Sequence, residues 1–445
     1  MTDRDVTMTD RDARETRTPT GWTLSPALAG AVVVGVIAVV AAFVMSRVEP
    51  ALVGAPLLLA AALAWDRRPS ADVVITSSAS YGEEAGTAAD GIAAVTVHLR
   101  SGATERPDAL QLRLALGGSA PMDAVVTPRA ADRATGLVPL VHTGPQRLAA
   151  VEARAIGADA VWVSEPGEQA VVERVVRPRQ APVRSLPLPA RLLGLTGQHV
   201  STRPGDGGEF RDIDLFHPGD RLRRIDWRAT ARAGREGELY VRRTTATSDA
   251  AVHLVVDARD DVTGVVADWS RAYPRPAVSS LDIAREAASS LAVAYAAVGD
   301  RIGFDDLGES RRVLPPRAGA RHRERVLRAI ELTTATGSAF QRVRSPRLSP
   351  GALVFVLGTF LDDQPATLAL TWRAAGHRVI AVDVLPARDA GDLAARERLA
   401  LRTIELERTL RLDQLQAGGV ELLRWPDASS REAGLRALTA GGRRR

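Results

Sequence analysis

Apolar and polar positions alternate at different periods along the chain. Residues 27–45, ALAGAVVVGVIAVVAAFVM, are an unbroken uncharged run of 19, and a helix crossing hydrocarbon needs roughly 17–25 such residues. After Arg47 and Glu49 comes a second run, ALVGAPLLLAAALAW at 51–65, shorter and carrying Pro56. It reads as the return arm of a transmembrane hairpin over 27–66, ended by Trp65 at interface depth. Ahead of it, residues 1–26 read as a disordered tail in which MTDRD occurs at Met1 and again at Met8. This tail mixes acids with arginines and no small-residue cleavage site follows the run, which favours an anchor over a cleaved signal.

Beyond the hairpin the period shortens. Between 71 and 178, Val- and Leu-rich runs such as Ala94–Leu99, Leu110–Leu116, Leu137–Val141 and Gln169–Val176 are separated by Gly, Pro and Asp. They predict a β-sandwich-like domain, with Pro139 confining its strand to a sheet edge. A Pro-rich stretch from Arg177 to Pro189 marks a boundary. From 250 to 445, strands alternate with helices: HLVVD at His253–Asp257, a helix capped by Ser279 or Ser280, strands at 301–304 and 312–314, and a helix at 322–333. The pattern continues with ALVFVLG at 352–358, a helix at 365–375, a strand at 378–384, a long amphipathic helix at 393–416 and a final strand at 420–425. Such alternation predicts an α/β domain with a mainly parallel sheet covered by helices.

Composition narrows the chemistry. All 58 Lys+Arg residues are arginine, so no P-loop lysine, pyridoxal phosphate lysine or Schiff-base amine exists. With no cysteine there is no thiol nucleophile, iron-sulfur cluster or Cys-ligated zinc. A net charge of +5 over 445 residues is too dilute for a nucleic-acid surface. The histidines at 98, 142, 199, 217, 253, 322 and 377 lack HExxH spacing, and no GxSxG occurs. The reading is therefore a non-enzymatic protein with no catalytic residue, no cofactor and no small-molecule substrate. Arg11, Arg14 and Arg17 before the first run, and Arg67 and Arg68 after the second, predict a two-span cell-membrane protein with its soluble domains in the cytoplasm.

Residues 190–245 form a connector. Its core, GQHVSTRPGDGGEFRDIDLFHPGDRLRRIDWRATARAGREGELYVR at 197–242, reads as a Gly-rich turn and an acidic, aromatic strand. A turn at His217–Asp220 follows, then an arginine-dense segment around Asp226 and Trp227. Bidentate guanidinium–carboxylate contacts would lock it against the neighbouring domains as a cross-braced connector, and an exposed docking surface is the functional alternative. The string PGDRLRRIDW, preceded by GDGGEFRDI and followed by RATAR, resembles the signature of the bacterial family called domain of unknown function 58. The matching positions are Gly208, Glu209, Phe210, Arg211, Pro218, Gly219, Asp220, Arg224, Ile225, Asp226, Trp227 and Arg232.

The resemblance implies a von Willebrand factor A-like α/β domain over 250–445. It also implies a partner: a MoxR-type AAA+ ATPase or its client, with a role in assembly or maturation of other proteins. A structural envelope scaffold acting without an ATPase is the alternative. Domains of the implied type hold a divalent ion through an Asp-x-Ser-x-Ser pattern, but this chain has Asp257-Ala258-Arg259-Asp260-Asp261. Both serines are missing and Arg259 puts positive charge at the ion's place. For Mg, Asp257 and Asp362 are the candidate ligands of a degenerate motif.

Overall fold

A computed structural model describes residues 16–65, 73–84, 91–102, 107–127, 133–157, 160–192, 197–235, 237–308, 313–337 and 346–442. It is a mixed α/β protein that divides into two compact units. The first comprises Met1–Val141, Pro145–Val176 and Ala272–Pro276, and the second His142–Gly144, Arg177–Arg271 and Ala277–Arg445.

The first unit begins with strands β1 (Thr16–Thr20) and β2 (Trp22–Leu24), then helices α1 (Pro26–Met45) and α2 (Glu49–Trp65). Strands β3 (Val73–Glu84), β4 (Gly91–Gly102), β5 (Ala109–Leu116), β6 (Met122–Val126), β7 (Arg133–Leu140), β8 (Gly144–Ile156), β9 (Trp162–Ser164) and β10 (Ala170–Val176) follow. One sheet runs β1-β3-β4-β7 and the other β2-β9-β8-β5-β6, with β10 on β8. Val138 and Leu140 of β7 share a core with Leu112 of β5 and Leu148 and Val151 of β8, so the two sheets bury one apolar layer. Pro139 lies on β7, at the edge of its sheet, where a missing N–H costs no ladder bond.

The disordered tail expected over 1–26 is corrected at its C-terminal end. β1 pairs with β3, β2 pairs with β9, and Trp22 is buried, so sheet pairing and one aromatic anchor order residues 16–24. Residues 1–15 lie outside the described residues.

Ser25 caps α1 by accepting from the Leu28 N–H, and Pro26 suits the first helical turn. α1 is the one described helix long and apolar enough to cross a membrane; α2, at 17 residues, is shorter. The two pack closely where Gly54 faces Gly35, since a Cβ on Gly54 would lie 2.7 Å from the Gly35 carbonyl oxygen. The Trp162 indole donates to the Ala64 carbonyl at 3.1 Å, satisfying one of the orphan acceptors at the end of α2.

In the second unit β11 (His199–Leu215) leads to helix α3 (Trp227–Ala233) and pairs with β12 (Tyr240–Ser248). β13 (Ala251–Val256), α4 (Ser280–Ala297), β14 (Arg301–Asp306), β15 (Leu314–Arg317), α5 (Ala320–Glu331) and β16 (Leu353–Gly358) come next. The chain ends with α6 (Gln364–Ala374), β17 (Arg378–Asp383), α7 (Ala395–Ala417), β18 (Glu421–Arg424) and α8 (Ala428–Gly442). The sheet order is β15-β14-β13-β16-β17-β18, parallel except for β15.

Both faces of this sheet are covered, which is why its strands read as continuous apolar runs. Val252, Leu254 and Val256 join Phe355, Leu291, Tyr295, Val326 and Leu435 in one core, while Val255 joins Val354, Val356, Trp372 and Leu415 in another. One expectation is corrected here: α8 extends the chain beyond the strand predicted to complete the domain, held by Leu435 in the core. The division between the units falls at Val176/Arg177, where the Pro-rich stretch begins. That stretch is strapped onto the second unit: Tyr295 donates to the Pro187 carbonyl at 2.6 Å, Arg378 to the Leu188 carbonyl at 2.6 Å, and Ala181 N–H to Ser290 at 2.9 Å.

Candidate functional site

Parallel sheets present ligand sites at the carboxyl ends of their strands. There β13 runs into Asp257 and β16 ends at Gly358, where a Cβ would already press on the Asp257 Cβ at 3.2 Å. Arg259 turns back over Asp257, its Nε donating to Asp257 Oδ1 at 2.8 Å and its Nη2 to Oδ2 at 2.7 Å. The same guanidinium reaches across to Asp362, with Nη1 to Oδ2 at 2.6 Å and Nη2 to Oδ1 at 2.8 Å. Burial opposes the charge on Arg259, but the hydrogen bonds to Asp257 and Asp362 outweigh it and raise the pKa, so the group stays cationic. The two candidate ion ligands are thus brought together, with a guanidinium between them. The donor set does not fit a divalent ion, because an ion held by Asp257 and Asp362 would have to displace a buried cation that donates two bonds to each.

Asp260 completes the cluster and was not singled out by sequence. It accepts from the Thr359 hydroxyl at 2.9 Å, while its Oδ1 has no hydrogen-bond partner. Burial, and then the charge of Asp257, push its carboxyl up to about 6. Asp261 is used otherwise, taking the Leu281 N–H at 3.0 Å at the start of α4.

A second buried polar cluster also escaped the sequence reading. Asp282 accepts from Thr143 N–H at 2.7 Å, Ser279 N–H at 3.0 Å and His142 at 2.8 Å, and Arg285 donates to the Thr143 carbonyl at 2.8 Å. Gly144 has φ +78°, and a Cβ there would strike the Arg285 guanidinium at 2.7 Å. The hydrogen bond to Asp282 raises the His142 pKa against its burial. The spacing Ser279-x-x-Asp282 is a capping box and was the available signal. Asp282 and Arg285 are thus spent on neighbouring groups, which makes the cluster a brace.

The signature segment is built differently. β11 is irregular, with register shifts between Val200 and Pro204, Gly205 and Phe210, and Phe210 and Asp212. Gly208, Glu209, Phe210 and Arg211 lie on this strand. Its turn closes when His217 N–H donates to the Asp220 carboxylate at 2.9 Å, with Gly219 beyond Pro218 at φ +106°. Arg243 of β12 ties this turn back, pairing with Asp214 at 2.7 Å. Arg243 thus braces the hairpin internally.

A 3-10 turn over Leu222–Arg224 then leads to α3. Asp226 caps α3 through the Ala229 N–H at 3.0 Å, while its own N–H donates to the Tyr240 carbonyl at 2.8 Å. Ile225 bridges to Val241. These bonds fix the backbone on both sides of Trp227 and leave the indole 67% exposed. Arg223, Arg224, Ile225, Asp226, Trp227, Arg228, Arg242 and Thr244 line an open pocket of about 440 Å³. Arg224, Ile225, Asp226 and Trp227 are signature positions that the fold brings together there. Arg232 lies in the last turn of α3, exposed and outside the pocket lining.

Fold and site define a class: an α/β domain preceded by a β-rich unit and an apolar helix, whose strand-end carboxylates are closed by arginine and whose signature hairpin presents an aromatic and arginine surface. Residues 212–418 match the model of the family described as Protein of unknown function DUF58. Relatives include the uncharacterized proteins Rv1480 of Mycobacterium tuberculosis (strain ATCC 25618 / H37Rv) and Mb1516 of Mycobacterium bovis (strain ATCC BAA-935 / AF2122/97). Each is 29% identical over 204 residues, covering 44% of this chain and 60% of the relative. The chain thus spans about three-fifths of the length of these curated relatives. No solved structure matches it.

Proposed function

We propose that the chain is a membrane-anchored, non-enzymatic adaptor that binds protein through its signature hairpin. In this reading α1 and the shorter α2 form a transmembrane hairpin, the flanking arginines hold the soluble units in the cytoplasm, and the α/β domain is von Willebrand factor A-like. The partner is a MoxR-type AAA+ ATPase or its client, and the role is assembly or maturation of that client. One observation carries the reading: backbone bonds on both sides of Trp227 hold a large aromatic side chain out in solvent, beside arginines. Exposed Trp and Arg are the residue types that dominate protein interfaces.

At the strand ends Asp257 and Asp362 are both committed to Arg259, which suits a structural role for that pair beside the hairpin's binding surface. The test is crosslinking and pull-down of the full chain from native membranes. Because the chain has no lysine, amine-reactive reagents will not label its side chains, so photo-crosslinking is required. Enrichment of an AAA+ ATPase or its client supports the adaptor. Full activity after deletion of residues 250–445, with no ATPase enriched, would instead favour a scaffold.

A further inference from the structure

The adaptor reading leaves the chemistry of the partner open, and the pocket beside Trp227 narrows it. Four guanidiniums, from Arg223, Arg224, Arg228 and Arg242, line the pocket against one carboxylate, that of Asp226. Asp226 is already engaged, since its Oδ1 takes the Ala229 N–H. Arg224 donates to the Gly205 carbonyl at 3.4 Å, and Arg242 lies over the Phe210 ring at 5.1 Å. Arg223 and Arg228 make no hydrogen bond or ion pair with the described residues. Two forks are therefore held at the surface with their donors unused by the described residues, next to an exposed indole and to Leu222, which is 69% exposed.

We propose that this pocket binds an acidic segment of a partner protein, with carboxylates on the forks of Arg223 and Arg228 and an apolar side chain against Trp227 and Leu222. The inference rests on the adaptor reading and gives its partner a chemistry. Planar guanidiniums bind carboxylates bidentately, which a point charge does not. The extent of the site argues for a short segment. Around the pocket the hairpin alternates sign, with Glu209, Asp212, Asp214 and Asp220 near Arg211 and Arg243. A polyanion tracking a long surface would meet these acids, whereas a few carboxylates beside an apolar residue fit between them. The pocket is open and lined by four arginines, unlike the enclosed apolar clefts that hold small molecules.

The experiment uses the full chain in phosphatidylcholine nanodiscs and a fluorescein-labelled peptide of repeated Glu-Leu-Asp triplets, read by fluorescence anisotropy. Saturable binding is expected, weakening as salt is added. It should fall at least about tenfold in the double variant Arg223→Gln, Arg228→Gln. It should fall several-fold in Trp227→Ala and partly recover in Arg223→Lys, Arg228→Lys, which restores charge without the fork. The matching Gln-Leu-Asn peptide should not bind. All these side chains are at the surface, and a thermal melt confirms that each variant remains folded.

The proposal is overturned if the acidic peptide does not bind, if the glutamine double variant binds it as the parent does, or if the Gln-Leu-Asn peptide binds equally. It is also overturned if phosphatidylglycerol vesicles, and not the peptide, engage the chain through Arg223 and Arg228. A partner still crosslinked from native membranes by the glutamine double variant would leave the adaptor reading standing and remove only this pocket from it.

Discussion

Arg259 is buried between two carboxylates, one of which, Asp257, is itself almost wholly inaccessible while Asp362 is about half exposed. Removing one partner of a buried ion pair strands the other charge, at a cost of roughly 3–5 kcal/mol. Arg259→Ala is therefore expected to lower the unfolding free energy by about that much in denaturant titration. The replaced cation also has a consequence for metals: adding Mg should leave the melting temperature of the parent unchanged and raise that of Arg259→Ser, in which the carboxylates are released. A Mg-dependent shift in the parent would contradict the guanidinium's role.

Asp260 gives a pH signature. Its folded pKa, about 6, lies above its ordinary value of 3.8, so between these pH values the folded state holds a proton that the unfolded state has lost. Its contribution is fully present below about 4 and is lost as pH rises to about 6, by up to roughly 3 kcal/mol. His253 pulls the other way, burial having lowered its pKa to about 4. The informative quantity is thus the difference between parent and Asp260→Asn, which should change between pH 4 and 6 and stay flat above.

At this scale the sequence told part of the story. Asp257-x-Arg259 showed a cation at the place of a serine, but the Asp260 contact with Thr359 spans 99 residues, and no local spacing reveals it.

Among the elements, α4 depends on its first turn. Ser279 accepts from the Asp282 N–H, and the Asp282 carboxylate returns to the Ser279 N–H. Ser279→Ala should cost about 1–2 kcal/mol of stability, measured by chemical denaturation. α7 makes the opposite expectation. It buries Leu401 and Leu415 but leaves Leu399, Leu406 and Leu410 exposed, so replacing these three with Gln should change stability by no more than about 0.5 kcal/mol each.

Elements with strong periodicity or unbroken apolar runs were legible: β13, β16, β17, α4 and α1 all announce themselves. Those that depend on distant partners were not. β1, TRTPT, carries polar residues and a proline and becomes a strand by pairing with β3. α8 contains Gly434, Gly441 and Gly442, which weaken any local helical signal, and it forms against β18 through Leu435. The Pro-rich stretch before residue 190 showed no partner in its own sequence because Tyr295, Ser290 and Arg378, which bond its backbone, are all more than a hundred residues away.

At the scale of the whole molecule, an uncharged apolar helix lies near the start of the first of two folded units. α1 leaves Val33, Ile37, Val40, Phe43 and Val44 exposed along an uncharged helix, a surface that water does not favour and lipid does. The full chain should therefore stay with the membrane through alkaline carbonate washing, and a chain lacking residues 16–65 should be released. The apolar run made α1 legible early. In the signature segment arginines and acids are interspersed in sequence, and only the fold separates Arg243, which pairs with Asp214, from Arg223 and Arg228, which make no ion pair with the described residues.

The most direct measurement places the photo-crosslinker p-benzoylphenylalanine at position 227 of the full chain in its native membrane. Irradiation should give a discrete adduct with one protein, identified by mass spectrometry as an AAA+ ATPase or its client, and none when the same group is placed at exposed position 321 on α5. Adducts with lipid alone, or no adduct at 227 in a membrane-held and folded chain, would contradict the adaptor.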